Sequence, residues 1–282
     1  MLKKLHALYG LKFHPFGFEV PAEDLWVPPA VDHFCWRLEQ QLREGGFAMV
    51  SGPSGCGKSA ALRVLASRLA RQRDVTVGIL SRPQAGLADF YRELGALFGV
   101  VLTPHNRWAS SKLLREKWCQ HLENTRFQPV LLIDEAQEMG SAVLCELRLL
   151  SSVALDSRSI LTVVLAGDDR LVEKLASPEL VPLASRIRVR LRLEALPPQQ
   201  LLECLQHLLA AAGQPKLMTA GLRQTLCEHA VGNLRLLMNL ANDLLTEACR
   251  QELSELDEKL YLTVFAPTPK AAGKRPRPAG SL

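Results

Sequence analysis

The chain has no paired cysteines, no long apolar run and few aromatic residues, and each shortage removes a class of protein. Its seven cysteines (35, 56, 119, 145, 204, 227 and 249) are scattered, odd in number and never in CxxC spacing. They argue against a disulfide framework and against a zinc module, and they fit a reducing, cytoplasmic compartment. No stretch approaches ~18 uncharged apolar residues, so no membrane span is expected. Lys3 and Lys4 lead into no apolar run, which argues against a signal peptide. Aromatic residues make up only 6% of the chain and do not interleave with basic side chains into a stacking platform. No helix-turn-helix is legible either. The net charge of +5 is mild; it permits an acidic partner such as DNA without requiring one.

What is present is a phosphate-binding signature. With 282 residues, 48% of them hydrophobic, the chain can bury one large core with a satellite, or two cores. Residues 52–59 read GPSGCGKS, the GxxxxGK[ST] spacing of a nucleotide loop. Glycines let successive backbone N–H groups turn inward around an anionic oxygen. Lys58 adds a point charge near the β- and γ-phosphates, Ser59 offers a hydroxyl to Mg²⁺, and the following helix points its positive end at the phosphates. Gly52, Pro53, Ser54, Gly55, Cys56, Gly57, Lys58 and Ser59 are therefore the candidate nucleotide-binding residues. Cys56 reads better as a tolerated filler than as a redox handle. The flanks agree: an apolar strand, Phe47 to Ser51, precedes the loop, and Leu62, Leu65, Ala66 and Leu69 follow at helical spacing.

Five apolar runs predict buried strands at 46–51, 75–81, 129–133, 160–166 and 187–193, separated by helical patterns at 58–72, 84–98, 108–124 and 139–154. Such alternation implies a mostly parallel sheet with helices on both faces. After Leu196 only helical patterns remain. Pro197-Pro198 opens one to about Ala212, Thr219 can cap a second, and Asn233 begins a third to about Gln251. The expectation is an α/β nucleotide-binding domain over 31–195 and a small helical domain over 196–265. Residues 266–282, rich in Pro, Ala, Gly and basic side chains, are expected to be a disordered basic tail.

The third strand carries the second chemical motif. Val130 to Ile133 runs into Asp134-Glu135, two carboxylates at a strand end beside the loop. Asp134 is placed to hold Mg²⁺ and Glu135 to polarise an attacking water, which points to hydrolysis rather than binding alone.

At this point the residues resemble the ExeA-like branch of the AAA+ ATPases, over roughly residues 5–250. Tyr9 to Phe16 looks like that family's YGLxxxPF opening. The stretch from Leu131 to Val153 resembles its DEAQ segment, with Gln137 in register, followed by its LRLL helix. LAGDDRLVEKLASPEL, SRIRVRLRLEAL and GNLRLLMNL resemble its later segments. The resemblance implies an AAA+ P-loop fold with a five-stranded parallel sheet and a helical lid, and ATP with Mg²⁺ as ligands. It implies that Arg186 reaches a neighbouring subunit's γ-phosphate and that Arg235 couples the lid to nucleotide. It also implies that residues 1–30 form an arm near the adenine pocket, with Tyr9 to Phe16 and Trp26 to Pro28 lining it. A strand-edge charge, a helix-surface cation and simple packing of Tyr9, Phe13 and Phe16 are the plainer readings of the same residues. Two departures stand out. Gly167-Asp168-Asp169 replaces the family's Gly-Gln-Pro, putting an acid where a neutral group senses phosphate. Leu234 replaces the proline before Arg235.

Arg186, Arg188, Arg190 and Arg192 alternate with aliphatic residues at strand period, so four guanidinium groups are expected along one face of an edge strand. Such a stripe suits DNA phosphates or an acidic neighbour, and it suits equally a strand charged against aggregation. The family resemblance leaves three functions open. A transposition helper of the TniB, TnsC and Mu B type binds double-stranded DNA as an ATP-dependent homo-oligomer and presents target sites to a transposase; length, basic balance and tail favour it. A secretion-associated ATPase and a nucleotide-gated scaffold with little turnover are the alternatives.

Overall fold

The computed structural model describes residues 2–102, 106–154 and 157–265; the tail expected at 266–282 lies outside the described residues. The central sheet contains β1 (Gly46–Ser51), β2 (Val77–Leu80), β3 (Val130–Ile133), β6 (Thr162–Gly167) and β7 (Ile187–Arg192). A two-stranded hairpin, β4 (Ser152–Val153) with β5 (Arg158–Ser159), interrupts the series before β6. Strand order is β2-β3-β6-β1-β7, with every pairing parallel. The central strands β3, β6 and β1 are largely apolar because both their faces are covered. Phe47, Met49, Leu131, Ile133, Val163 and Leu165 point into one core, and Ala48, Val50, Leu132, Val164 and Ala166 point into the other. That is the period-2 rule applied to a sheet with no wet face.

Helices α2 (Pro29–Gln41) and α3 (Lys58–Ala70) cover the second face; α4 (Leu87–Phe98), α5 (Arg107–Thr125) and α6 (Ser141–Leu150) cover the first. Trp118 of α5 is the largest fully buried side chain and meets Phe98 edge-on at 5.3 Å. Glu146 of α6 is buried among these helices, where it accepts a hydrogen bond from the Tyr91 hydroxyl and pairs with Arg107. Burial pushes its pKa up, but the hydrogen bonds from Arg107 and Tyr91 outweigh that, and the net shift is downward.

The helix expected over 139–154 is shorter than its pattern. It ends at Leu150, and the chain turns into the β4–β5 hairpin, whose polar residues carry no strand alternation. Short helices α7 (Asp169–Leu175) and α8 (Val181–Ala184) then lead from β6 to β7. β7 lies at the sheet edge, as its arginines require, and its burial alternates residue by residue. Arg188, Arg190 and Arg192 share the exposed face as expected, and Arg186 lies half-buried just before the strand. A register shift between Phe47 and Ala48 pairs them with Ile187 and Val189, which leaves Arg188 as the extra residue of a bulge.

The small domain contains α9 (Pro198–Ala211), α10 (Ala220–Ala230), α11 (Leu234–Gln251) and α12 (Glu258–Phe265). Thr219 and Asn233 cap α10 and α11 through their side chains, at the positions the sequence suggests. The N-terminal helix α1 (Leu2–Tyr9) belongs to this domain, because Leu5, Tyr9, Leu11 and Phe16 complete its core.

Candidate active site

β1 and β3 run parallel to β6 in matched register, so Ser51 and Ile133 deliver their following residues to the same end of the sheet. The phosphate loop and Asp134-Glu135 therefore converge by topology. Glycine is required at two loop positions for space as well as torsion. Gly52 (φ 151°) presses on the Leu193 carbonyl, which a Cβ would approach to 2.2 Å. Gly55 (φ 86°) lies against Asn233, whose Oδ1 a Cβ would meet at 2.2 Å. Lys58 is buried, and its Nζ donates to the Gly52 and Pro53 carbonyls at 2.9 Å each. It is thereby held over the loop it serves. Ser59 is exposed at the first turn of α3. Cys56 is buried, and burial pushes its thiol pKa up against the opposing Lys58 charge, which suits an inert filler.

At the end of β3, Glu135 adopts a left-handed conformation (φ 51°) and stays exposed, while its N–H donates to Asp134 Oδ1 at 2.9 Å. Gln137 is buried and links two strand ends. Its Nε2 donates to Glu135 Oε2, and its Oε1 accepts the Asp168 N–H at 3.3 Å. The acid at Asp168 is neutralised locally. Its carboxylate caps α7, accepting from Arg170 N at 3.0 Å, and takes Arg170 Nε at 2.9 Å. The Arg170 guanidinium, followed by backbone hydrogen bonding and the Lys58 charge, holds the Asp168 carboxyl below the usual range despite some opposing desolvation. Arg170 also pairs with Glu138 at 3.0 Å. Sequence reasoning missed Arg170, although its i,i+2 spacing after an acid at a helix start is a legible signal.

The lid touches the loop directly. Asn233 Nδ2 donates to Ser54 O at 3.0 Å, Arg235 N to Gly55 O at 3.2 Å, and Arg235 NH1 to Ser54 Oγ at 2.8 Å. Gly232 (φ 79°) permits this turn, since a Cβ there would lie 2.7 Å from Ala195. Beside these groups opens a cavity of about 790 Å³ between the two domains. Phe16, Trp26, Pro28, Val31, Leu208 and Met238 give it an apolar wall, while Gly57, Ser59 and Arg235 border it on the loop side. Of the arm residues expected to line it, His14, Phe16, Trp26 and Pro28 do. Tyr9 and Phe13 pack in the small-domain core instead. Asn233 was foreseen as a helix cap but not as a loop contact.

Arg186 stands apart from this assembly. It precedes Ile187, which pairs with Phe47 at the start of β1, whereas the loop leaves from Ser51 at the other end. Its NH1 donates to the Pro182 carbonyl at 2.5 Å.

Comparison with known proteins agrees with the fold. Residues 40–175 match a family described as an AAA domain. The chain is 30% identical over 241 residues to the General secretion pathway protein A of Aeromonas hydrophila. The chain carries an AAA+ domain of the ExeA-like kind. That alignment takes in 83% of this chain and 43% of the relative, so the chain spans less than half of the curated relative's length. Among solved structures, domain III of the Thermotoga maritima replication initiation protein DnaA superposes with a TM-score of 0.62 at 19% identity, covering 89% of this chain and 98% of that one. The Pyrobaculum aerophilum Cdc6p gives 0.67 at 14% identity over 86% and 67%. The Aeropyrum pernix ORC1 protein in complex with DNA gives 0.67 at 16% over 87% and 67%. At these identities the likeness is one of fold. Among the described residues, no helix is long and apolar enough to cross a membrane.

Proposed function

We propose that this protein is a cytoplasmic, ATP-dependent oligomerising ATPase that binds double-stranded DNA and assists a transposase in target selection. The observation behind the oligomeric part is the separation of Arg186 from the loop at the opposite end of the same sheet. A nucleotide held by one protomer meets Lys58, Glu135 and Arg235 of that protomer, but no geometry within the chain brings Arg186 to it. A second copy supplies it.

In this reading the loop amides and Lys58 bind the phosphates, and the apolar cavity receives the base. Asp134 and Ser59 form an all-oxygen donor pair at one end of the sheet, which fits Mg²⁺. When bound, the ion supplies charge neutralisation at the phosphate oxygens. Glu135, exposed and tethered through one carboxylate oxygen to Gln137, orients the attacking water with the other. Asp168, neutralised by Arg170, lets the position tolerate an anion. Arg235, anchored to Ser54, reports the loop's state to the lid. The guanidinium of the neighbour's Arg186 counteracts charge that develops on the transferring phosphoryl group.

A mixing experiment tests this. Arg186→Ala should bind ATP normally and lose turnover by about 10³-fold or more, and Glu135→Gln should also bind without turning over. Mixed together, the two inactive variants should regain phosphate release, because the Arg186→Ala subunits keep an intact Glu135 and receive Arg186 from their partners. No recovery on mixing rejects the shared site.

A second reading is favoured by the resemblance to the General secretion pathway protein A. It makes this chain the ATPase module of a secretion-associated protein. DNA-stimulated hydrolysis supports the first reading; hydrolysis indifferent to DNA, with co-fractionation with envelope proteins, supports the second.

A further inference from the structure

At the end of the sheet remote from the phosphate loop lies a cleft of about 670 Å³. Arg43 from the α2–β1 connection, Arg126 from the α5–β3 connection, Arg158 of β5, Arg186 just before β7 and Arg188 of β7 all line it. They reach it from four separate stretches of chain, because the starts of neighbouring parallel strands gather there. Among the described lining residues Glu44 is the sole carboxylate, and it is paired with Arg188 at 2.9 Å. Arg126 and Arg158 meet no carboxylate among the described residues.

Two of these arginines have defined local settings. Arg126 ends α5 in a left-handed conformation (φ 62°), a position that glycine occupies at lower cost. The Arg43 guanidinium lies 5.6 Å over the Phe127 ring, which restrains an otherwise exposed side chain. Ser157, Ser159 and Ser185 line the same walls, but their hydroxyls are engaged with acceptors of the chain itself, so the arginines are the donors that face the cleft. Converging like charges raise the free energy of the isolated protein unless an anion joins them. Guanidinium forks are the chemistry of phosphate oxygens, and the number of forks exceeds what one phosphate group can engage.

We propose that this cleft binds the phosphodiester backbone of duplex DNA, with Arg43, Arg126 and Arg158 as its phosphate contacts. The inference rests on the DNA-binding part of the proposed function and gives it a place. The arginine stripe of β7 divides accordingly. Arg188 belongs to the cleft, whereas Arg192 lies near Asp169 and Glu194 at 3.5 and 3.6 Å beside the phosphate-loop end, and Arg190 donates to the Ala184 carbonyl at 2.9 Å. Arg186 is left to the assembly role. Recognition of this kind follows the backbone, so affinity depends steeply on salt and little on sequence.

The test uses the whole chain, Mg²⁺, a non-hydrolysable ATP analogue and a fluorescent duplex of about 30 bp of mixed sequence, titrated by anisotropy across a salt series. The Arg126→Ala/Arg158→Ala double variant should lower the slope of log K against log salt by about two. Its DNA-free ATPase rate, nucleotide affinity and ATP-driven assembly should match the wild type. An unchanged slope and affinity in the double variant, with wild-type protein binding DNA, overturns the inference alone. Wild-type protein that binds no duplex overturns it together with the DNA part of the proposed function. A double variant that keeps DNA affinity but loses ATP-driven assembly identifies the cleft as a contact between copies, and that too overturns the inference.

Discussion

Where β1 and β3 finish, the candidate phosphate site is built around the backbone: glycines at positive φ and one buried lysine braced on two carbonyls. Where the same strands begin, the polar groups are long side chains on surface connections, and the cleft they line is smaller and more polar. A backbone cradle has fixed dimensions and suits a ligand of one size, such as a terminal phosphate chain. A ring of guanidinium groups on flexible stems adapts to a repeating anion whose register is not fixed. Under the proposed function, one sheet would present two anion-binding ends without confusion, with selectivity at the first geometric and at the second set by charge.

That contrast is open to attack by mutation. The largest expected effect is at Glu135. Glu135→Gln should leave ATP affinity intact and lower phosphate release by roughly 10²- to 10⁴-fold, measured in a coupled assay beside isothermal titration. Lys58→Ala should next cost about 2–5 kcal/mol of nucleotide affinity, and with it ATP-driven assembly followed by sedimentation. Equal nucleotide affinity in that variant would break the argument for a lysine-braced cradle. Smallest is a pH effect in the body that joins the two ends. The Glu146 carboxyl is lowered on folding, so its stabilisation is complete above about 4.5, its unperturbed value. It is lost as the pH falls from there through the folded pKa. Glu146→Gln should flatten that stretch of the stability–pH curve from chemical denaturation while leaving nucleotide affinity alone.

Local chemistry is what the sequence makes legible. β1, β3, β6 and β7 are readable because burial on both faces, or arginine alternation at an edge, writes their pattern into consecutive residues. The phosphate loop and Asp134-Glu135 are readable because their roles depend on neighbours in the chain. No element is assigned from the sequence to the stretch that forms α2, where Pro29 sits in the first helical turn, a position that suits proline. Asp168 looked like an ill-placed phosphate sensor because its function as the cap of α7 requires Arg170 to be folded back on it. The bridge from Glu135 through Gln137 to Asp168, the docking of Asn233 on Ser54 and the gathering of Arg43, Arg126 and Arg158 join residues far apart in sequence. Strand order creates them, and no spacing rule contains it.

The contact between Asn233, Arg235 and the loop carbonyls has a mechanical consequence. α11 starts on that contact and runs for 18 residues, a rod of about 27 Å. Its first turn is pinned to Ser54 and Gly55, so a tilt of about 5° as the loop adjusts to a phosphate displaces the far end by about 2 Å. α1 packs on this helix, and the displacement therefore reaches the amino terminus without any intervening switch. Under the proposed function, the helix would work as a pointer on a dial, carrying an adjustment of the phosphate loop to the far side of the helical bundle.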